Sequence, residues 1–495
     1  MNLRPSSVLT ETEVQNGLRM IIGDGLASEI MTTLTGSVFL TAMALMMGAS
    51  NFQIGVLAAL PTVTNIFQLV SIWLVRRYNN RRAVSVICSL LARIPLVLTG
   101  GLMLLFPSMR SMALLISFLF FYNLFASVAG LSWNAWMKDL VPDQMLGAYF
   151  SRRSSYTQAL NAALSFVLAL VIDHIKSGYP QYELAVYYTM FLTAGVAGII
   201  GAFILARAPE PQSYMVKENI FRLLQRPLKD GNFRRLLIFN SAWVFAINIA
   251  TPFFTVFMMR TLGLPIAYII GLGILSQVAG IFTVRIWGVS SDKYSNKTII
   301  AICAPLYIIC IIAWCFAGIY THFISNLLLL VAIHIVMGIS TAGINLALIN
   351  IGLKLAPREQ SIVYLSAKNI ITAVFASAAP VIGGILADFF NKRHLVIDAR
   401  WIGPKADKVF HLLSLHEWNF LFLIGALLAL VSLELLVQVK ETGEVEKNVV
   451  VRMMRSNIKN SLKDYFLIGN LIDLHEHLVA IIKGGAKRSK EEKES

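Results

Sequence analysis

An ionisable side chain inside an apolar stretch costs roughly 2.5–3.5 kcal/mol to place in lipid. The first apolar stretch of this chain carries two, Asp24 and Glu29. Asp24, Ser28, Thr32 and Thr35 recur at helical spacing and form one polar stripe. Three later stretches repeat the theme with Asn123, Ser127, Gly130 and Asn134, then Asn240, Asn248, Thr251 and Thr255, then His334, Gly338, Thr341 and Asn345. Such stripes either line a water-filled cavity or hydrogen-bond neighbouring helices within the membrane. Glu29 lies deeper than Asp24 and is the better placed of the two to exchange protons. His334 is a second option, because an imidazole titrates near neutrality. Asp24 is close enough to the surface to be hydrated, to pair with Arg19, or to hold sodium together with backbone carbonyls. Trp243 offers a ring for stacking on a sugar or, more plainly, for packing. Gln158, Asn161, Gln277 and Asn369 add hydrogen-bonding capacity, and Arg93 requires a carboxylate that the sequence does not name.

Helices must position these groups. Of the 495 residues, 57% are hydrophobic and only 14% charged, against about 25% charged in a soluble domain. Twelve apolar runs reach spanning length, near 18–47, 52–75, 83–106, 111–138, 151–174, 184–207, 233–260, 265–289, 297–319, 324–353, 363–390 and 417–438. They are too long and too uniformly apolar for the alternating strands of a barrel. The first run reads as a retained span, with no cleavage pattern behind a short apolar core. Cys88, Cys303, Cys310 and Cys315 all fall within runs, without metal-ligand spacing, so neither a disulfide framework nor a metal site is expected.

A net charge of +15 suggests nucleic acid, but its distribution argues against that partner. Basic residues crowd alternate connections, as in Arg76, Arg77, Arg81 and Arg82 after span 2, whereas the others carry single charges such as Arg110, Lys176 and Arg260. The positive-inside rule then places both termini in the cytoplasm of a plasma membrane, taken as a bacterial inner membrane. One outer connection, about 391–416, is long and basic and breaks the pattern.

The chain also repeats itself. Asp24 matches Asn240, Thr32 matches Asn248 and Thr35 matches Thr251 at one constant offset, as do Tyr78 and Tyr294. Pro142 with Pro357, Tyr149 with Tyr364 and Ser151 with Ser366 follow within one residue of it. A duplicated bundle is how many solute carriers are built. The expected division is a six-helix half at 1–207, a linker at 208–232, a second half at 233–438 and an amphipathic tail at 439–495.

The loop after span 8, with Gly288, Asp292, Lys293, Asn296 and Lys297, resembles the loop signature of the major facilitator superfamily. Its counterpart after span 2 departs from that signature, with Ile72 for Gly and Arg76 for the acid. The resemblance covers the chain to about Lys440. It implies an all-α membrane fold of twelve spans in two halves, with spans 1, 4, 7 and 10 around a central cavity. It also implies a cytoplasmic gate in which Asp292 faces the start of span 5 near Arg152 and Arg153. Arg76, Arg77 and Arg81 would form the weaker mirror gate near Lys368, eased by Glu359. The drug-antiporter signature of span 5 is missing, and a near-copy, Ala379-Pro380-Val381-Ile382-Gly383-Gly384, stands in span 11.

The function expected is a monomeric secondary carrier of a small polar solute, a sugar or oligosaccharide, driven by protons or sodium and needing no cofactor. An exporter of amphipathic compounds and a non-transporting sensor acting through its tail are the rival readings. An enzyme is disfavoured, since no nucleotide loop, metal cluster or nucleophile arrangement stands out.

Overall fold

The computed structural model describes residues 5, 6, 9–142, 145–212, 225–318, 323–357, 360–402 and 407–441. The expected amphipathic tail lies almost wholly outside them. Among the described residues, twelve helices are long and apolar enough to cross a membrane. Spans 1 to 6 are Glu11–Met46, Asn51–Tyr78, Arg81–Leu105, Met112–Leu140, Leu146–Gly178 and Pro180–Leu205. Spans 7 to 12 are Gly231–Arg260, Ile266–Lys293, Asn296–Trp314, Phe323–Leu355, Val363–Phe390 and Glu417–Val437. Helices satisfy their own backbone groups, which lipid cannot do.

Span 1 is not continuous. It runs Glu11–Leu34 and restarts as Ser37–Met46, with Gly36 at the break. Its start is fixed by a capping box, Thr10 with Glu13, and the start of span 2 by Ser50 with Gln53. The connection 391–416, read as a plain loop, instead contains an antiparallel hairpin. β1 (His394–Ile402) pairs with β2 (Asp407–His416), with a bulge between Ile397 and Asp398.

Each half is tied at the face that carries the termini. There the Glu210 carboxylate accepts from the backbone N–H groups of Arg81 (2.8 Å) and Arg82 (3.0 Å) at the start of span 3. The Arg81 guanidinium adds ion pairs to Glu210 (3.2 Å) and Asp139 (2.5 Å). In the second half Glu441 accepts from Asn296 N–H (3.2 Å) and Lys297 N–H (2.8 Å) at the start of span 9, and its cation is Lys354 (3.1 Å). The repeat thus keeps the carboxylate cap and moves the cation from the start of one helix to the end of another. Arg81, Asn296 and Lys297 were expected at a gate between the halves; they are instead parts of latches within each half. A helix start presents free N–H groups and positive potential, so a carboxylate fits there.

Between the halves, span 2 packs along span 11. The approach is close enough to require glycine. A Cβ on Gly55 would lie 2.2 Å from the Pro380 carbonyl oxygen, and one on Gly384 would lie 2.5 Å from that of Asn51. The Ala-Pro-x-x-Gly-Gly segment therefore serves the seam between the halves.

Arg81→Ala removes the ion pair from the buried Glu210 carboxylate, leaving only the electrostatic influence of Arg82, and should cost about 3 kcal/mol. Asn296→Ala, its counterpart, should cost much less, because Lys354 supplies the charge there. Unfolding midpoints in detergent check the difference. Gly55→Val should lower the midpoint through overpacking worth about 1–3 kcal/mol.

Candidate functional site

The break in span 1 sits beside the polar interior. Thr32 Oγ1 donates to the Glu29 carbonyl (3.1 Å) and Thr35 Oγ1 to that of Met31 (2.9 Å), so both hydroxyls are held by their own helix. Just before the break, Glu29 faces span 5, where the Asn161 amide donates to its carboxylate at 2.9 Å. The same amide nitrogen reaches Thr33 Oγ1 at 2.9 Å. Gln158, one turn earlier on span 5, donates to Ser154 Oγ (2.7 Å).

These groups open onto a cavity of about 610 Å³ shared by the two halves. Glu29, Gln158 and Asn161 line one side, and Ser276, Gln277, Thr341 and Asn345 line the other. A second cavity of about 200 Å³ shares Asn161 and Gln277 with it and reaches Thr32 and Gly36. A third, about 500 Å³, shares Thr32 and adds Thr35, Tyr122, Asn123, Thr251 and Thr255. Span 1 contributes to the walls of all three. Their lining contains one carboxylate, Glu29, and no Lys or Arg. The Arg153 guanidinium, outside that lining, acts on Glu29 electrostatically.

Other stripe residues lie elsewhere. Asp24 is buried, within reach of Ser28 Oγ (3.4 Å), and interacts electrostatically with Arg93 and Arg153. It is a structural charge of the first half, and Arg93 supplies part of its balance. Asn240, the repeat partner of Asp24, donates to Thr372 Oγ1 (2.7 Å) and joins spans 7 and 11. Asn248 donates to its own helix at the Val244 carbonyl (2.8 Å). Trp243 is buried against Tyr307, with ring centroids 6.1 Å apart, so it packs and does not offer a stacking face. His334 meets the Leu330 carbonyl (2.8 Å) and the Trp314 ring (5.6 Å), within an aromatic cluster of the second half. Asn134 and Asn369 are exposed and belong to none of the three linings.

On the terminal face the acid of the expected gate is not engaged. Asp292 is exposed at the end of span 8 and makes no ion pair or hydrogen bond among the described residues. Arg152 donates to Tyr156 on its own helix (3.0 Å), and Arg153 turns inward over the Trp133 ring (5.0 Å). Lys293 lies over Tyr294 (5.2 Å), and Gly288 faces Leu346 within its own half. Arg76 and Arg77 are exposed at the end of span 2, and Glu359 lies outside the described residues.

The halves meet instead at the opposite face. Asp173, near the end of span 5, accepts from the N–H groups of Ile266 (2.9 Å) and Ala267 (2.8 Å) at the start of span 8. Asp388, near the end of span 11, accepts from Asn51 (3.0 Å) and Phe52 (2.9 Å) at the start of span 2. The two contacts are one another's repeat images. Arg260 adds bonds to the Asn51 side chain (3.3 Å) and the Ala49 carbonyl (3.1 Å). Hydrogen bonds between described residues of the two halves all lie at this far face. The sequence reading passed over Asp173 and Asp388; their signal was two acids at matching ends of spans 5 and 11.

Each carboxylate at a helix start contributes roughly 1 kcal/mol. The double variant Asp173→Asn with Asp388→Asn should therefore shift the far face toward open by about thirtyfold. Thiol labelling of Thr41→Cys from the far side reads this; an unchanged labelling rate would refute the gate.

The family model of the Major Facilitator Superfamily matches residues 25–360. Among solved structures, the nucleoside transporter NupG is similar at a TM-score of 0.63 and 12% identity, covering 87% of this chain and 100% of that one. A bacterial homologue of the human lysosomal transporter Spinster, inward-facing and unoccupied, gives 0.57 at 15% identity, covering 77% and 84%. A bacterial metal transporter gives 0.54 at 12% identity, covering 87% and 98%. Identities this low show a shared fold alone. No curated protein sequence matches the chain. With the two-half bundle in place and more than half its length matched by that family model, the chain belongs to the Major Facilitator Superfamily of membrane transporters.

Proposed function

We propose that this transporter moves a small, uncharged polar solute, a sugar or short oligosaccharide, by rocking its halves about the shared cavity. The reading rests on Glu29 held by Asn161 at 2.9 Å in a cavity of about 610 Å³ with no cation in its lining. Gln158, Gln277, Thr341 and Asn345 supply donors and acceptors from both halves, the complement a polyol needs. Glu29 is the proton carrier: protonated, it donates to solute or to Asn161; ionised, it accepts. The cavity is complete within one chain, and the transporter works as a monomer. In this reading the termini are cytoplasmic in a bacterial inner membrane, so the state described faces the cytoplasm, and Asp292 engages when the far face opens.

A sodium-driven cycle would draw on the same carboxylate. A panel of labelled neutral mono- and disaccharides, tested in vesicles under an imposed pH or sodium gradient, separates the two. Uptake should rise with a proton gradient and be indifferent to sodium. Glu29→Gln should lose at least tenfold of the gradient-driven rate while keeping solute exchange at equilibrium. Gradient-driven uptake unaltered in that variant would remove Glu29 from the scheme.

A further inference from the structure

A separate pocket of about 360 Å³ lies near the terminal face of the second half, between span 7, span 11 and the short linker helix Arg226–Lys229. Its walls are hydrocarbon: Leu237, Ile238, Ala242 and Phe245 of span 7, Ile371 and Phe375 of span 11, closed above by Leu228. Two groups break that surface. Arg234 stands at the rim and is exposed. Ser241 lies two helical turns deeper on the same side of span 7; it is 4% exposed, and its hydroxyl has no hydrogen-bond partner among the described residues.

A buried hydroxyl without a partner costs free energy that a ligand can recover. A pocket of pure hydrocarbon beneath a guanidinium selects an amphiphile with an anionic head. Arg226 and Lys229, exposed on the linker helix that supplies Leu228, add positive charge to the same stretch of chain. The terminal face is where phosphates of the adjoining leaflet lie, and each basic residue near that surface favours an anionic lipid. None of the polar cavity residues takes part, so the pocket is distinct from the polar cavities.

We propose that this pocket binds one anionic phospholipid, its phosphate on Arg234, its ester carbonyl accepting from Ser241 and an acyl chain against Phe245 and Phe375. Lipid held there bridges spans 7 and 11, the helices already joined by Asn240 and Thr372 (2.7 Å).

The full chain, purified in neutral detergent, would be titrated with phosphatidylglycerol, with phosphatidylcholine of the same acyl chains, and with glycerol phosphate. Thermal unfolding midpoints and intact-complex mass spectrometry would follow binding. Phosphatidylglycerol should raise the midpoint in a saturable way and remain as a single adduct. The zwitterionic lipid and the chainless headgroup should do neither. Arg234→Gln, at an exposed position that folding does not depend on, should weaken binding about fivefold, and Arg234→Lys should restore most of it. Ala242→Phe should abolish the adduct by filling the pocket. Equal effects of the two lipids, or an unchanged adduct in Arg234→Gln, would overturn the assignment; glycerol phosphate acting alone would mark a free-phosphate site and overturn it as well.

Discussion

Four carboxylates hold this molecule in shape, and all four do so in one way: each accepts from two consecutive backbone N–H groups at the start of a helix. Glu210 and Glu441 close the starts of spans 3 and 9 within their own halves. Asp388 and Asp173 close the starts of spans 2 and 8 across the halves. The difference between the pairs is what surrounds them. Glu210 and Glu441 also carry a cation, Arg81 or Lys354, so breaking them would strand buried charge. Asp173 and Asp388 carry none among the described residues and hold by helix-start amides and dipole alone. In the proposed cycle, contacts of that modest size can open and close repeatedly, whereas the reinforced pair holds each half together.

Halves held in this way have a consequence for the interior. In the proposed cycle, a cavity shared by two bodies changes access when they rock, and the groups on its walls need only moderate affinity for what passes. The lining meets that requirement with amides and hydroxyls partly satisfied by their own helices, as with Thr32, Thr35 and Gln158. Such groups exchange partners at little cost. Glu29 is the exception: its carboxylate accepts from a donor on another helix, the Asn161 amide of span 5.

Much of this was legible in the chain. Span number and the duplication follow from hydropathy and the repeated polar residues, and Glu29, Thr32, Asn123, Gln158, Asn161, Gln277 and Asn345, which polar spacing singled out, line cavities in the structure. Trp243, His334, Asn240 and Asn248 were not separable from them. A polar residue at helical spacing serves equally as cavity lining and as a tie between helices, and only the neighbour across the groove decides. Asn240 meets Thr372; Asn345 meets open space. Asp173 and Asp388 escaped notice for a related reason: a lone acid at a span end looks like a solvated charge until a helix start from the other half is placed opposite it.

What the sequence determined alone was the set of helices and their pairing by repeat, because apolar length and backbone hydrogen bonding in lipid leave no other solution. What the tertiary structure decided was direction. The two faces carry similar acids near helix ends, and local chemistry gives no preference between Asp292 and Asp388. Packing does: Gly55 and Gly384 let spans 2 and 11 close to contact at the far face, bringing Asp388 to its helix start and leaving Asp292 without one.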